Sequence, residues 1–196
     1  MSVPVQRKLL VLDLDETLLY ATSERLSTSE AFEVGPYYVY VRPHLRPFVE
    51  FCAARFDIAV WTASSADYAN TVAMQLFGSL DRLKFLWSRT RCTIRYDRET
   101  HEQYWVKDLK KIRRIGYALE QVIVVDDTPE KHERNYGNLI RVRPFEGELD
   151  DDELLFLAGY LETLADVDDV RVVEKRGWRH TQTRRRDDAC SLLYPK

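Results

Sequence analysis

The chain contains few cysteines and few histidines, and neither type forms a metal-binding or disulfide pattern. Three cysteines are present, an odd number, and no two have the short C-x-x-C spacing of a zinc or redox site. This argues against a disulfide framework and favours a reducing compartment. The histidines are scattered without ligand spacing, so we expect surface or loop positions and assign them no role. They are His44, His101, His132 and His180.

Long apolar runs and a strong excess of one charge are also absent. No apolar run approaches the ~20 residues that span a bilayer, and the N-terminus lacks a charged-then-apolar signal arrangement. The net charge of −3 balances 29 basic against 32 acidic side chains, so the overall charge favours neither nucleic acid nor an anionic membrane as a partner. We therefore expect a cytoplasmic protein without a membrane partner.

The composition is that of a globular protein. Hydrophobic residues make up 45% and aromatic residues 12% of the 196 residues, which is enough for one substantial core. We predict one domain over residues 1–170 and a basic tail over residues 171–196, poorly ordered because it lacks periodicity. Arginines at positions 184–186 could contact nucleic acid or an acidic partner, but a solvated tail is the simpler interpretation.

Short apolar runs alternate with segments of helical period, which is typical of an α/β domain with a mainly parallel sheet. Strands are predicted at residues 8–12, 37–41, 58–61 and 122–125. Helices are predicted at residues 45–56, after a serine cap in "SSAD" up to Gly78, and from Asp150, where Glu153 completes a capping-box pattern. Residues 81–106 read as short strands, "LKFLWS", "RCTIRY" and "EQYWV", around the turn "DRET". This region predicts an inserted β-hairpin.

Polar side chains follow three of the predicted strands. They are Asp13 and Asp15, Thr62 and Ser64, and Asp126 and Asp127. Because the carboxyl ends of parallel strands meet at one edge of a sheet, these side chains are predicted to face one crevice. Carboxylates held that close repel each other and need a cation. Mg²⁺ prefers such oxygen ligands, and the absence of histidine or cysteine ligands argues against zinc.

The spacing Asp-x-Asp indicates a division of labour. Asp13 and Asp15 leave the strand two residues apart, so both can address one phosphoryl group. One carboxylate can attack phosphorus while the other moves a proton, and the two roles need different protonation states. Glu16 is interpreted as a solvated loop residue without a role.

Four motifs in order carry a family resemblance: "DLDETLL", "WTAS", "VKDL" and "VVDDTP". They resemble the motifs of the haloacid dehalogenase superfamily, and specifically its small C-terminal-domain phosphatase branch (NLI-interacting-factor-like) of aspartate-dependent phosphatases. The resemblance covers roughly residues 7–173. It implies a three-layer α/β fold of Rossmann type, with a mainly parallel central sheet, a small hairpin insertion and no large cap.

The resemblance also implies roles for individual residues. Asp13 would be the nucleophile that becomes an aspartyl-phosphate, and Asp15 would protonate the leaving oxygen and then activate water. Thr62 would bind the transferring phosphoryl group, and Lys107 would offset negative charge there. Three further residues are predicted at the phosphate or substrate: Thr17, which would also steady the loop, Ser64, and Arg89.

The metal site implied by the resemblance is one for Mg²⁺. Asp13, the backbone carbonyl of Asp15, and Asp127 would hold the ion, with Asp126 beside them. Many relatives have Asp-Asn where this chain has Asp126-Asp127. The extra negative charge should favour the metal and disfavour an anionic substrate.

These observations predict a Mg²⁺-dependent phosphomonoesterase that acts through an aspartyl-phosphate on phosphoserine or phosphothreonine in proteins. Two alternatives stay open: a phosphatase for a small metabolite or a nucleic-acid end, and a non-catalytic binding scaffold with the same fold. A phospho-accepting signalling receiver is disfavoured, because its acid pair should lie on the first strand and its phosphorylated aspartate on a later one.

Overall fold

The computed structural model describes residues 7–96, 99, 101–182 and 186–194. Its strands are β1 (Leu9–Leu12), β2 (Leu19–Thr22), β3 (Phe32–Val34), β4 (Tyr37–Val41), β5 (Asp57–Trp61), β6 (Leu83–Trp87), β7 (Thr93–Tyr96), β8 (Gln103–Val106), β9 (Val122–Asp126) and β10 (Leu139–Arg141). Its α-helices are α1 (Leu45–Arg55), α2 (Ala66–Phe77), α3 (Lys110–Arg113), α4 (Glu153–Leu164), α5 (Trp178–Gln182) and α6 (Arg186–Leu193).

The centre of the fold is a parallel sheet of five strands in the order β10-β9-β1-β5-β6. The continuous apolar runs of β1 and β9 are fully buried, as expected of strands covered on both faces. In the register, Leu12 lies opposite Val60 of β5 and Val125 of β9. The three strands therefore end side by side, which confirms the predicted parallel α/β fold.

Helices cover both faces of this sheet and give three layers. Leu10 and Leu12 point to one face, where they belong to a core with apolar residues of α1, α2 and α4. Leu9 and Val11 point to the opposite face, into a smaller core with Ile112 of α3. This alternation follows from the period of two in a β-strand.

The chain between β1 and α1 forms a small antiparallel sheet in the order β2-β4-β3. Tyr37–Val41 is the strand that the sequence predicted, and its partners β2 and β3 were not recognised. This sheet and the hairpin of β7 and β8 are small additions to the central sheet. The described residues contain no large cap.

The predicted hairpin insertion is confirmed in part. β7 and β8 pair antiparallel, from Thr93 opposite Val106 to Tyr96 opposite Gln103. The stretch "LKFLWS" was assigned to the insertion wrongly, because its backbone pairs in parallel with β5 as the edge strand β6. A short apolar run does not by itself reveal its partner strand. Of the predicted turn at 97–100, residues 97, 98 and 100 lie outside the described residues.

Helix ends were predicted with mixed success. Ser65 caps α2 by accepting a hydrogen bond from the Tyr68 amide at 3.4 Å, and the helix ends at Gly78 with φ of 73°, as predicted. The predicted cap at Asp150 is wrong, because α4 begins after Asp152. Asp151 instead accepts a hydrogen bond from the Glu153 amide at 3.0 Å.

Within residues 171–196, where the sequence predicts a poorly ordered tail, the described residues include α5 and α6. Trp178 and Leu193 are buried in the core that includes α4. The Trp178 ring stacks on Tyr160 at a centroid distance of 5.5 Å. A few anchoring side chains order this segment, and their spacing shows no periodic pattern in the sequence. Arg184 and Arg185 lie outside the described residues, and the domain boundary at residue 170 stays a prediction.

Candidate active site

Asp13 lies immediately beyond β1, at the carboxyl edge of the sheet. Its backbone amide donates a hydrogen bond to the Val125 carbonyl at 3.0 Å, which extends the β1–β9 pairing by one residue. The residue is buried, with 2% exposure. After Asp13 the backbone turns sharply, since the Leu18 amide donates to the Leu14 carbonyl at 2.8 Å and Glu16 has φ of 56°.

The Asp13 carboxylate lies between two lysines. Its Oδ2 atom is 2.9 Å from Nζ of Lys107 and 3.0 Å from Nζ of Lys131, and its Oδ1 accepts a hydrogen bond from the Leu14 amide at 2.9 Å. Burial and the neighbouring Asp126 carboxylate raise the pKa of Asp13, although both lysines oppose this shift. Additional positive charge beside Asp13 would therefore favour its ionised form.

Asp126 anchors a buried charge network behind Asp13. Its Oδ2 lies 2.6 Å from Nζ of Lys107 and 2.8 Å from Nε2 of His132. Burial alone would raise the pKa of Asp126, but Lys107 and His132 hold this pKa well below its usual range. The expectation that His132 lies on the surface or in a loop without a role is wrong, because its side chain is buried against this carboxylate. The isolated histidine gave no signal in the sequence, since its partner is set by the fold.

Three carboxylates form a cluster that could hold a metal ion. One oxygen from each of Asp13, Asp126 and Asp127 lies within 4.8 Å of the other two. Burial raises the pKa of Asp127 and Asp126 adds to this, while Lys131 lowers it. Hard oxygen donors that destabilise each other's ionised forms are suited to Mg²⁺. The residues present therefore fit the ion that the sequence predicted.

All three cluster members already have both carboxylate oxygens engaged. Asp13 is held by the Leu14 amide and by two lysines, and Asp127 accepts hydrogen bonds from the hydroxyl groups of Thr17 and Thr128. Asp126 accepts from Lys107 and His132 at one oxygen and from the Thr128 amide, at 3.0 Å, at the other. That Asp13 and Asp127 contact the metal, with Asp126 beside them, stays a prediction. The carboxylate of Asp15 is not in the cluster, and the backbone carbonyl of Asp15 stays a predicted ligand.

The Asp15 side chain is held by hydroxyl groups on the other side of the crevice. Its Oδ1 accepts a hydrogen bond from the Tyr68 hydroxyl at 2.6 Å, and its Oδ2 accepts one from Ser64 at 2.7 Å and a long one from Thr62 at 3.5 Å. Burial and the adjacent Asp15 raise the pKa of Tyr68, which keeps its hydroxyl protonated as a donor. The two carboxylates of the Asp-x-Asp motif thus face different surroundings, lysines for Asp13 and hydroxyls for Asp15.

Sequence reasoning missed Tyr68 and Lys131 at this site. The helical period of α2 predicts that Tyr68 lies on an apolar face, which describes its ring but not its hydroxyl. Lys131 follows the "DDTP" motif closely, and this proximity was the signal available. The 3₁₀ turn Pro129–His132 directs it back toward Asp13.

Glu16 is not the solvated loop residue that the sequence suggested. It is half-buried beside the cavity, and burial together with the charges of Asp15 and Asp127 raises its pKa to about 7. The tight turn that buries Asp13 also brings Glu16 toward the cluster. Its carboxyl group is a further acidic side chain in the crevice.

The other predicted residues lie at different depths. Thr17 is fully buried and does not line the cavity, so the prediction that it contacts phosphate or substrate is not supported. Its hydroxyl donates instead to Asp127 at 3.4 Å, which fits a loop-steadying role. Arg89 lies exposed at the rim, with its guanidinium 5.6 Å from the ring centroid of Trp105. Its Nε donates to the Ala63 carbonyl at 2.6 Å.

These elements enclose one cavity of about 480 Å³ at the carboxyl edge of the sheet. Its polar lining includes Asp13, Asp15, Glu16, Thr62, Ser64 and Lys131, and its rim includes Tyr37, Tyr68, Arg89 and Trp105. Lys107 lies behind Asp13 and does not line the cavity. The arrangement places a buried carboxylate with cationic neighbours next to a second carboxylate that hydroxyl groups orient.

The chain also matches a protein family along most of its length. The model of the NLI interacting factor-like phosphatase family matches residues 8–171. The chain belongs to this family. The resemblance to small C-terminal-domain phosphatases drawn from the four motifs is thereby confirmed.

Curated relatives of this NLI interacting factor-like chain include small phosphatases. A probable C-terminal domain small phosphatase of Dictyostelium discoideum is 34% identical over 176 residues, which cover 85% of this chain and 53% of the relative. A human CTD small phosphatase-like protein is 33% identical over 174 residues, covering 84% of this chain and 58% of the relative. The chain thus spans between half and two thirds of the length of these two relatives.

Solved structures share the fold of this family member. The structure of Fcp1, an essential RNA polymerase II CTD phosphatase, superposes with a TM-score of 0.55 at 16% identity, covering 93% of this chain and 64% of that one. At this identity the likeness shows the fold alone. Among the residues that the structure describes, no helix is long and apolar enough to cross a membrane.

Proposed function

We propose that this chain is a Mg²⁺-dependent phosphomonoesterase that forms an aspartyl-phosphate on Asp13 and acts on phosphoserine or phosphothreonine in proteins. The observation that carries the proposal is the different environment of two adjacent carboxylates. Asp13 is buried between Lys107 and Lys131, whereas Asp15 is oriented by Tyr68 and Ser64. Nucleophilic catalysis with a separate proton donor needs this division.

In the first step, a carboxylate oxygen of Asp13 forms a bond to phosphorus while the ester P–O bond breaks. Asp15 gives its proton to the departing serine or threonine oxygen. In the second step, Asp15 takes a proton from water, the water oxygen bonds to phosphorus, and the bond between phosphorus and Asp13 breaks to release inorganic phosphate. Both steps transfer a phosphoryl group, so positioning and charge neutralisation supply most of the catalysis.

The cations of the site neutralise negative charge in this scheme. Lys107 holds Asp13 and Asp126 together at 2.9 and 2.6 Å, and Lys131 reaches the cavity beside Asp13. Mg²⁺, when bound, supplies further positive charge to the phosphoryl oxygens. Asp13 and Asp127 would hold it, and Thr17 would keep Asp127 in place through the hydrogen bond to its carboxylate.

The preference for a protein substrate is supported by the open site and by the relatives. The cavity has no large cap within the described residues, so the surface of a macromolecule could cover it during the reaction. A further relative, 31% identical over 167 residues, is a human carboxy-terminal domain RNA polymerase II polypeptide A small phosphatase. A phosphoprotein partner is the corresponding proposal here, and the cytoplasmic location stays a prediction.

The test is hydrolysis of p-nitrophenyl phosphate and of matched phosphopeptide and metabolite phosphate panels, with and without Mg²⁺. Asp13→Asn should reduce kcat by at least about a thousandfold and abolish a beryllium fluoride adduct, while Asp168→Asn on the exposed surface serves as the matched control. Full Mg²⁺-dependent activity of Asp13→Asn would overturn the mechanism. A preference for metabolite or nucleic-acid-end phosphates would support the alternative enzyme. An adduct without turnover would support the scaffold, and a phosphoenzyme that persists for hours would support a receiver.

A further inference from the structure

A second cavity lies beside the edge strand β6, next to the candidate active site. It measures about 580 Å³. Its lining includes Lys84, Phe85, Trp87, Arg91, Lys111 and Arg114, and we call it the β6 groove. The short segment after β6 connects the two cavities, because Arg89 lines the candidate active site and Arg91 lines the groove.

The β6 groove carries positive charge that the described part of the chain does not neutralise. Among the residues that the structure describes, no carboxylate lines the groove. Lys84 is paired with Asp57 at 3.4 Å, but Arg91, Lys111 and Arg114 form no ion pair with a described carboxylate. Cations that line a concave surface without counter-charges produce a positive potential, which attracts anionic groups.

The floor of the groove is aromatic and holds the cations in place. The rings of Phe85 and Trp87 stack at a centroid distance of 4.0 Å with an interplanar angle of 23°. The Arg91 guanidinium lies 5.2 Å from the Trp87 ring centroid. Lys111 donates to the carbonyl of Arg91 at 2.6 Å. A cation held over a ring and a lysine tied to the backbone lose less conformational entropy when a ligand binds.

The place of the groove in the sheet favours an extended peptide. β6 is the edge of the central sheet, where β5 is its partner on the inner side. The outer side of an edge strand can accept an extended segment through backbone hydrogen bonds. A phosphoprotein whose phosphorylated residue enters the active site could lead its flanking residues past Arg89 and Arg91 into the groove.

We propose that the β6 groove binds an acidic segment of the phosphoprotein substrate, next to the phosphorylated residue. This inference rests on the proposed function and adds the substrate class to it. Arg91 and Arg114 supply the charge that selects glutamate and aspartate side chains. Phe85 and Trp87 supply the apolar surface on which their aliphatic portions pack.

The test compares two phosphoserine peptides that are identical except for an acidic or a neutral flank. The wild type is expected to show a kcat/KM ratio, acidic over neutral, of about ten or more at low salt, falling as salt rises. Arg91→Glu and Arg114→Glu should each bring this ratio near or below one. Arg113→Glu, an exposed neighbour that does not line the groove, should keep it. The ratio cancels any general loss of catalysis.

Three outcomes separate this inference from the proposed function. If p-nitrophenyl phosphate is hydrolysed but the ratio is unchanged in Arg91→Glu and Arg114→Glu, the groove proposal is wrong and the enzyme proposal stands. If the wild type hydrolyses no phosphate ester, binding of the unphosphorylated acidic peptide is measured by fluorescence anisotropy, and equal affinity for wild type and Arg114→Glu overturns the groove proposal. Tighter binding of a single-stranded oligonucleotide than of the acidic peptide also overturns it.

Discussion

Lys131 and Asp13 contact each other at the wall of the active-site cavity. The Lys131 ammonium lies 3.0 Å from Oδ2 of Asp13 and 3.7 Å from Oδ1 of Asp126. Its side chain is 20% exposed, whereas the Lys107 side chain, which contacts the same Asp13 oxygen, is 1% exposed. Lys107 is thus a fixed part of the buried network. Lys131 is the more exposed of the two lysines, and it can contact a ligand bound in the cavity.

This geometry gives Lys131→Met two effects of opposite direction. Removing its charge should tighten Mg²⁺ binding about tenfold, because one competing cation leaves the carboxylates. The same change should weaken inhibition by inorganic phosphate about tenfold, because the anion loses a positive partner. Isothermal titration calorimetry with Mg²⁺ alone and the inhibition constant of phosphate measure the two effects separately.

Lys131→Arg is the matched control, since it keeps the charge and should leave both constants close to those of the wild type. The double variant Asp127→Asn with Lys131→Met removes one charge of each sign. Its Mg²⁺ affinity should return toward that of the wild type. Weaker Mg²⁺ binding in Lys131→Met would contradict the competition between this lysine and the metal.

The hydrogen bond between Tyr68 and Asp15 predicts a role for Tyr68 in proton transfer. Tyr68→Phe removes the hydroxyl that donates to Asp15 at 2.6 Å and keeps the ring. We expect kcat to fall by up to about tenfold, the range that follows from losing the hydrogen bond that orients Asp15. The loss should be larger for phenyl phosphate than for p-nitrophenyl phosphate, because a poor leaving group depends more on protonation.

Tyr37→Phe is the control for this experiment. Tyr37 lines the same cavity and contacts Tyr68 edge to face at a centroid distance of 6.3 Å. Its variant should leave the dependence on the leaving group unchanged. An equal loss of kcat for both aryl phosphates in Tyr68→Phe would show that the tyrosine does not act through Asp15.

The buried ion pair of Arg42 and Asp151 should stabilise the fold strongly. Two hydrogen bonds of 2.8 and 2.9 Å join them, and a third, of 2.9 Å, joins Arg42 to the Thr17 carbonyl of the active-site loop. Asp151→Asn leaves the buried guanidinium without its counter-charge. We expect a loss of about 3–5 kcal/mol in the free energy of unfolding, measured with urea.

The pair of Arg82 and Glu50 is the matched control, because it has the same two-point geometry at 2.9 Å but is exposed. Glu50→Gln should cost about 1 kcal/mol or less. If Asp151→Asn and Glu50→Gln lower the free energy of unfolding by similar amounts, burial does not strengthen the ion pair.

The same ion pair predicts a dependence of stability on pH. Burial alone would raise the pKa of Asp151, but Arg42 lowers it below the usual value of 3.8. A lowered pKa in the folded state means that the unfolded state binds more protons, so the stabilisation is present above 3.8 and is lost as pH falls below it. The difference in unfolding free energy between wild type and Asp151→Asn should therefore be constant near neutral pH and shrink in acid. A difference that grows in acid would contradict the assignment.

The packing of Trp178 predicts that the C-terminal segment contributes to the stability of the domain. Trp178 is 4% exposed, and its indole N–H donates to the Arg141 carbonyl at 2.7 Å. Trp178→Ala should cost about 3–5 kcal/mol in the free energy of unfolding. Trp178→Phe keeps the stacking on Tyr160 and should cost about 1 kcal/mol. If Trp178→Ala costs less than about 1 kcal/mol, the C-terminal segment contributes little to the stability of the domain.

Sequence patterns predicted the three inner strands of the central sheet, β1, β5 and β9, and the edge at which the acidic residues gather. Apolar runs such as Leu9–Leu12 and Val122–Asp126 are buried on both faces, so their composition identifies them as core strands. The acidic residues that follow them, Asp13 and Asp127, meet because neighbouring parallel strands end together. The motifs then identified the family, which the match over residues 8–171 confirmed.

Long-range packing sets the further side chains that surround these acids. Tyr68 meets Asp15 across 53 positions of sequence, and Lys131 meets Asp13 across 118. Such contacts depend on the relative placement of helices, turns and strands, which short motifs do not encode. For the same reason the sequence misplaced β6 and His132, and it missed the packing of Trp178. The local pattern of residues predicts whether a segment is a helix or a strand, and long-range packing determines what each side chain contacts.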